Sequence, residues 1–111
     1  MYIKIQTMEL DLTTPSLIYT KPSKIWEINK NKLIQFDYFN KLFNFNNTNI
    51  YLLNEISDKE MELLLNYINY ETEFNIMELE TNDIMLLIKI SDFLIIPELL
   101  KITKKEFLNR L

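Results

Sequence analysis

Not one glycine occurs in the 111 residues of this chain. That absence restricts the chemistry before any element is placed. A P-loop, a GxGxxG dinucleotide fingerprint and a glycine-cradled oxyanion hole each need glycine at fixed positions, so none can be built here. Histidine and cysteine are missing as well. With histidine go the commonest general base and the commonest metal ligand, and a Ser-His-Asp triad is impossible. Without cysteine there is no disulfide framework, thiolate zinc site or cysteine nucleophile. No cofactor is expected.

What remains is an ordinary globular composition. Hydrophobic residues make up 48%, enough for a core in one domain without staples. The 12 Lys+Arg against 16 Asp+Glu leave a net charge of −4. That acidic balance argues against a nucleic-acid partner, which calls for a basic face. Alanine and valine are absent while Ile, Asn, Lys, Leu, Phe and Tyr abound. We read this as the imprint of an AT-rich genome, such as that of a large DNA virus or a protist. No apolar run approaches the ~20 residues that span a bilayer. The opening Met1–Gln6 has no basic segment followed by a long apolar stretch. The expectation is a soluble protein of the cytoplasm or nucleus (the host's, if viral), with no membrane partner.

The N-terminal third reads as strand. Tyr2, Ile3 and Ile5 are β-prone, with Lys4 and Gln6 interleaved. Leu17–Thr20 and Lys24–Ile28 read as a hairpin turning at Pro22-Ser23. Thr13–Ser16 and the Asn-rich Phe45–Asn49 punctuate the chain. Lys30–Ile34 reads as a short helix, and Asp37 as the cap of a second, Tyr38–Phe43. Asn49–Leu53 follows as a strand.

Ser57-Asp58-Lys59-Glu60 has capping-box spacing, with Met61, Leu64, Leu65 and Ile68 as the core stripe behind it. A short strand is expected near Phe74–Ile76. Thr81 or Asn82 is expected to cap the helix through Ile84–Ile90, and Pro97 to end it or open the next. The last helix is amphipathic through Leu99, Leu100, Ile102, Phe107 and Leu111. The order defines an α+β fold.

Two acidic groups, Asp58/Glu60/Glu62 and Glu78/Glu80/Asp83, are the residues that suggest a hard-cation site. Neither has EF-hand spacing, and solvated faces and helix N-termini account for such charges. A carboxylate-based metal protein is the remote alternative. The aromatic residues sit at core spacing without a basic stripe, which fits a core or a protein interface better than a stacking platform for bases. The lysines at 21, 24, 30 and 32 and at 101, 104 and 105 read as solvated faces, the second group in the last helix, where positive charge suits the macrodipole.

Several strings resemble the BTB/POZ family, over roughly Ser16–Leu111. Trp26–Ile34 resembles its aromatic-x-x-His-(Lys/Arg)-x-x-Leu stretch, with Asn29 in the His place. Asp37–Phe43 is similar to its Tyr-Phe-x-x-Leu-Phe string, Ile50–Leu52 to its central strand, and Leu64–Tyr70 to its Leu-Leu-x-(Phe/Tyr)-Ile-Tyr helix. Ile88–Leu99 is the nearest match, to its Ala-Asp-x-Leu string, and Met1–Ile5 is similar to the opening of elongin C. The resemblance implies a small three-stranded sheet with a cluster of five to six helices. Residues 1–15 would be an N-terminal extension or an extra strand, and 16–111 the interaction domain.

It also implies a non-catalytic protein-protein interaction module that forms a homodimer, or that bridges to a cullin in a ubiquitin ligase. The dimer surface would fall on Tyr2, Ile3, Leu33, Ile34 and Phe36. A cullin-type surface would fall on Phe43, Phe45, Tyr67 and Tyr70. The hydrophobic-x-Glu motif common in cullin-binding members is represented by Phe45 without its Glu. The alternative within the same superfamily is a monomeric elongin-C-like adaptor, or a viral decoy of one, that binds a cullin or a receptor helix.

Overall fold

A computed structural model describes residues 1–11, 18–69 and 74–111, with the side chains of 10, 11 and 18–20 left aside. The elements run β1 (Tyr2–Asp11), β2 (Ile18–Asn29), α1 (Lys30–Leu33), α2 (Asp37–Phe45), β3 (Ile50–Ser57), α3 (Asp58–Asn69), a 3-10 turn (Ile76–Glu78), α4 (Thr81–Phe93) and α5 (Pro97–Asn109). Among the described residues this is an α+β fold of one three-stranded mixed sheet and five helices. No helix among them is long and apolar enough to cross a membrane.

The sheet order is β2-β1-β3, with β1 antiparallel to β2 and parallel to β3. The N-terminal segment is therefore the middle strand of the sheet. Its alternation explains why: Ile5 and Thr7 are fully buried under the helices, while Tyr2 and Lys4 point to water. Ile50–Leu52, expected as a central strand, lies in an edge strand.

The hairpin also differs from expectation. Pro22-Ser23 is no turn; β2 continues straight through it. Pro22 stands opposite Met8, at a point where the β1–β2 register shifts on both sides. A residue without an N–H is tolerated on an edge strand at a ladder irregularity, and β2 supplies both conditions. The expected punctuation at Thr13–Ser16 and the strand start at Leu17 lie outside the described residues.

The helices grow from local chemistry. Asp37 is the first residue of α2 and not its cap; Phe36 takes that place without a side-chain bond. A carboxylate in the first turn still complements the macrodipole. The start of α3 is as expected: Glu60 N–H donates to Ser57 Oγ and Ser57 N–H to Glu60 Oε1, both at 3.2 Å. Met61 and Leu64 are buried and Leu65 and Ile68 half-buried, while Leu63, off the expected stripe, is buried too.

Neither Thr81 nor Asn82 caps α4. Glu80 holds the cap position, and Thr81 is the first helical residue. Around Phe74–Ile76 there is no strand; Asn75 Oδ1 accepts the Met77 N–H and starts the 3-10 turn. Pro97 opens α5 at its first position. Leu99 is buried as expected, but Leu111 is 86% exposed.

The core is continuous from the sheet's inner face (Ile5, Ile28, Tyr51, Leu53) through Phe39 and Phe43 to Leu64, Leu87 and Ile90. Phe43 stacks on Phe39 at 6.0 Å and meets Tyr51 edge-on at 5.1 Å.

Candidate interaction surfaces

The junction between β3, α3 and α4 is held by a buried charge. Glu60 is fully buried, and Lys89 of α4 donates to both of its carboxylate oxygens, at 3.0 and 3.3 Å, and to the Glu55 carbonyl of β3. Burial pushes the Glu60 carboxyl up to about 7, against the pull of the two Ser57 hydrogen bonds. Burial likewise pushes the Lys89 ammonium down. Asp58 has a different task. Its carboxylate accepts the Thr7 hydroxyl and the Lys24 N–H, while the Trp26 indole donates to Thr7 at 2.8 Å. Lys24 Nζ lies 3.9 Å from the Trp26 ring centre. Asp58 therefore pins the irregular stretch of the sheet to the start of α3.

The acidic residues that suggested a metal site are thus dispersed. Asp58 faces the sheet, Glu60 faces Lys89, and Asp83 reaches Lys59 at 3.9 Å. Among the described residues no group of three or more such side chains is arranged to hold a metal ion.

The α4–α5 turn is closed by backbone alone. Ile96 N–H donates to Ser91 O at 2.8 Å and Ile95 N–H to Asp92 O at 3.2 Å, the bond pair of a Schellman motif. That motif needs a left-handed residue after the cap, and here it is Ile95, at φ 57°. A β-branched residue in that region costs about 1–2 kcal/mol. With no glycine in the chain, the turn carries that strain.

Ile95 is exposed at the mouth of a cleft of about 300 Å3. Phe36, Tyr67, Ile68 and Pro97 form its apolar walls, and Asp37 and Glu98 line it with carboxylates. A second recess, of about 210 Å3, lies between the end of α2 and β3, lined by Leu42, Asn46, Thr48, Ile50 and Leu52 among others.

These surfaces regroup the residues singled out from sequence. Phe36 and Tyr67, assigned there to different surfaces, share the cleft; Tyr67 also meets Phe74 edge-on at 5.4 Å. Leu33 and Phe43 are core residues, so neither presents its side chain to a partner. Ile3 is half-buried on the inner side of β1, while Tyr2 and Ile34 are exposed. Phe45, at the end of α2, is 84% exposed. Tyr70 lies outside the described residues. Sequence reasoning missed Ile95 and Pro97 as cleft residues, and no local signal marks them, because the cleft is assembled from separate helix ends. No family model matches the chain, and no curated protein matches it.

Proposed function

We propose that the chain is a non-catalytic protein-interaction domain of BTB/POZ type, which associates with a second copy of itself and bridges to a cullin-RING ubiquitin ligase. The observation that carries the reading is Phe45. The other phenylalanines of α2, Phe39 and Phe43, are buried, whereas Phe45 stands in water, where the family resemblance puts a cullin contact. An exposed aromatic side chain is a usual form of interface anchor. Beyond β2 the element order, two short helices, a strand and then helices, follows the order of the resembling strings.

The cleft favours a second reading, the monomeric elongin-C-like adaptor. Its mixed lining, with Phe36, Tyr67 and Ile95 beside Asp37 and Glu98, suits an amphipathic receptor helix. Sedimentation equilibrium, together with binding to a purified cullin N-terminal domain, separates the two. The first reading expects twice the chain mass of 13.5 kDa and cullin retention that Phe45→Asp abolishes. A monomer that retains cullin supports the adaptor. A monomer that retains none defeats both.

A further inference from the structure

Among the described residues, nothing covers one face of the sheet. Side chains alternate along each strand, so Tyr2 and Lys4 of β1, Ile25 and Glu27 of β2, and Ile50 and Leu52 of β3 all point away from the helices. The pairing sets them in rows: Glu27–Lys4–Ile50, then Ile25–Gln6–Leu52. Their relative exposures are 65% for Tyr2, 49% for Ile25, 42% for Ile50 and 50% for Leu52. A solvated sheet face is ordinarily polar. This one sets Tyr2, Ile25, Ile50 and Leu52 among the polar Lys4, Gln6, Glu27 and Asn29, with one opposite-charge pair side by side.

We propose that this open face is the surface on which a second copy of the chain docks. The inference rests on the self-association reading above and says where that association occurs. Charge decides the occupant. Lys4 and Glu27 are direct neighbours across the β1–β2 ladder, and among the described residues neither has an ion pair within the chain. A two-fold axis running along the β1–β2 seam lays Lys4 of one copy over Glu27 of the other, and repeats the pair by symmetry. The same operation brings Leu52 beside the partner copy's Ile25, in the next row. A face carrying both signs side by side is complementary to itself.

Sedimentation equilibrium of the full chain tests it, with Trp26 fluorescence and circular dichroism confirming that each variant is folded. The wild-type chain is expected at twice its monomer mass. Ile25→Asp and Leu52→Asp, at exposed positions, are expected to give folded monomers. Lys4→Glu is expected to weaken the dimer about tenfold or more by setting like charges together, and Lys4→Glu with Glu27→Lys to restore it. A dimer indifferent to all of these, but lost in Ile34→Asp, would leave self-association standing and move it to α1, overturning the proposal. A wild-type chain that stays monomeric at every concentration sinks both the proposal and the self-association reading beneath it.

Discussion

At the start of α3, Ser57 and Glu60 close the helix with two side-chain bonds to backbone amides. At the end of α4 no side chain takes part in the Schellman bonds, and the closure falls on Ile95, held at φ 57°. Both ends are tied into the core: Glu60 is wholly buried, and Ile96, next to Ile95, nearly so. The difference is in where the cost appears. At α3 it is electrostatic, because a carboxylate has been taken out of water. At α4 it is steric, because a β-branched residue stands where glycine is usual. One end is satisfied by its residues, the other in spite of them.

The largest effect expected is at the electrostatic end. Glu60→Ala removes the acceptor for the buried Ser57 N–H and the partner of Lys89. Urea unfolding followed by Trp26 fluorescence should show a loss of about 3 kcal/mol. A loss no larger than an ordinary cap deletion, about 1 kcal/mol, would mean that the buried pair contributes nothing beyond the cap.

The same residue sets a pH dependence. Burial holds the folded carboxyl at about 7, against an ordinary 4.5. Below pH 4.5 the group is protonated in folded and unfolded chains alike, and its contribution to stability is fully present. Between about 4.5 and 7 the unfolded chain gives up the proton more readily. Stability therefore falls as pH rises through that window, by up to about 3 kcal/mol, and is level above it. The difference in stability between wild type and Glu60→Gln, measured across that range, isolates this residue from the other carboxylates. A constant difference would mean that Lys89 keeps Glu60 ionised throughout.

The smallest effect expected is a gain, at the steric end. Ile95→Gly relieves the left-handed strain and forfeits little burial, since the side chain is 62% exposed. Thermal unfolding should show about 1 kcal/mol of added stability, after the entropy that glycine gives the unfolded chain is offset. A loss of stability would show that the Ile95 side chain contributes packing at the cleft that outweighs its strain.

The two ends also differ in how far they can be read in advance. Ser57 and Glu60 announce a cap because the partners lie three residues apart and bond to each other's amides. Asp37 and Thr81 carry the same residue-type signal and take first-turn positions instead, because the cap is decided by where the chain enters the helix. Pro22-Ser23 has turn chemistry, yet the strand passes through it, because β1 supplies a ladder with an irregularity opposite Pro22. Leu33 and Ile34 are adjacent apolar residues in sequence; one is wholly buried and the other exposed, and only the packing of α1 against the core separates them. Phe36 and Tyr67 meet at one cleft although they stand 31 positions apart in sequence.

By itself, the sequence determined the α+β class, the approximate order of elements, the start of α3 and the absence of glycine-, histidine- and cysteine-dependent chemistry. These are properties of residue type and of spacing within a few positions, where propensity and side-chain reach decide. The tertiary structure decided that the N-terminal strand sits in the middle of the sheet and that β3 is an edge. It also decided that Glu60 is enclosed with Lys89, that Ile95 bears the strain of a turn, and that one sheet face is left open. Each of these depends on which distant segments come together. Burial, strain and strand pairing are set by neighbours in space, and those neighbours exist only once the chain has folded.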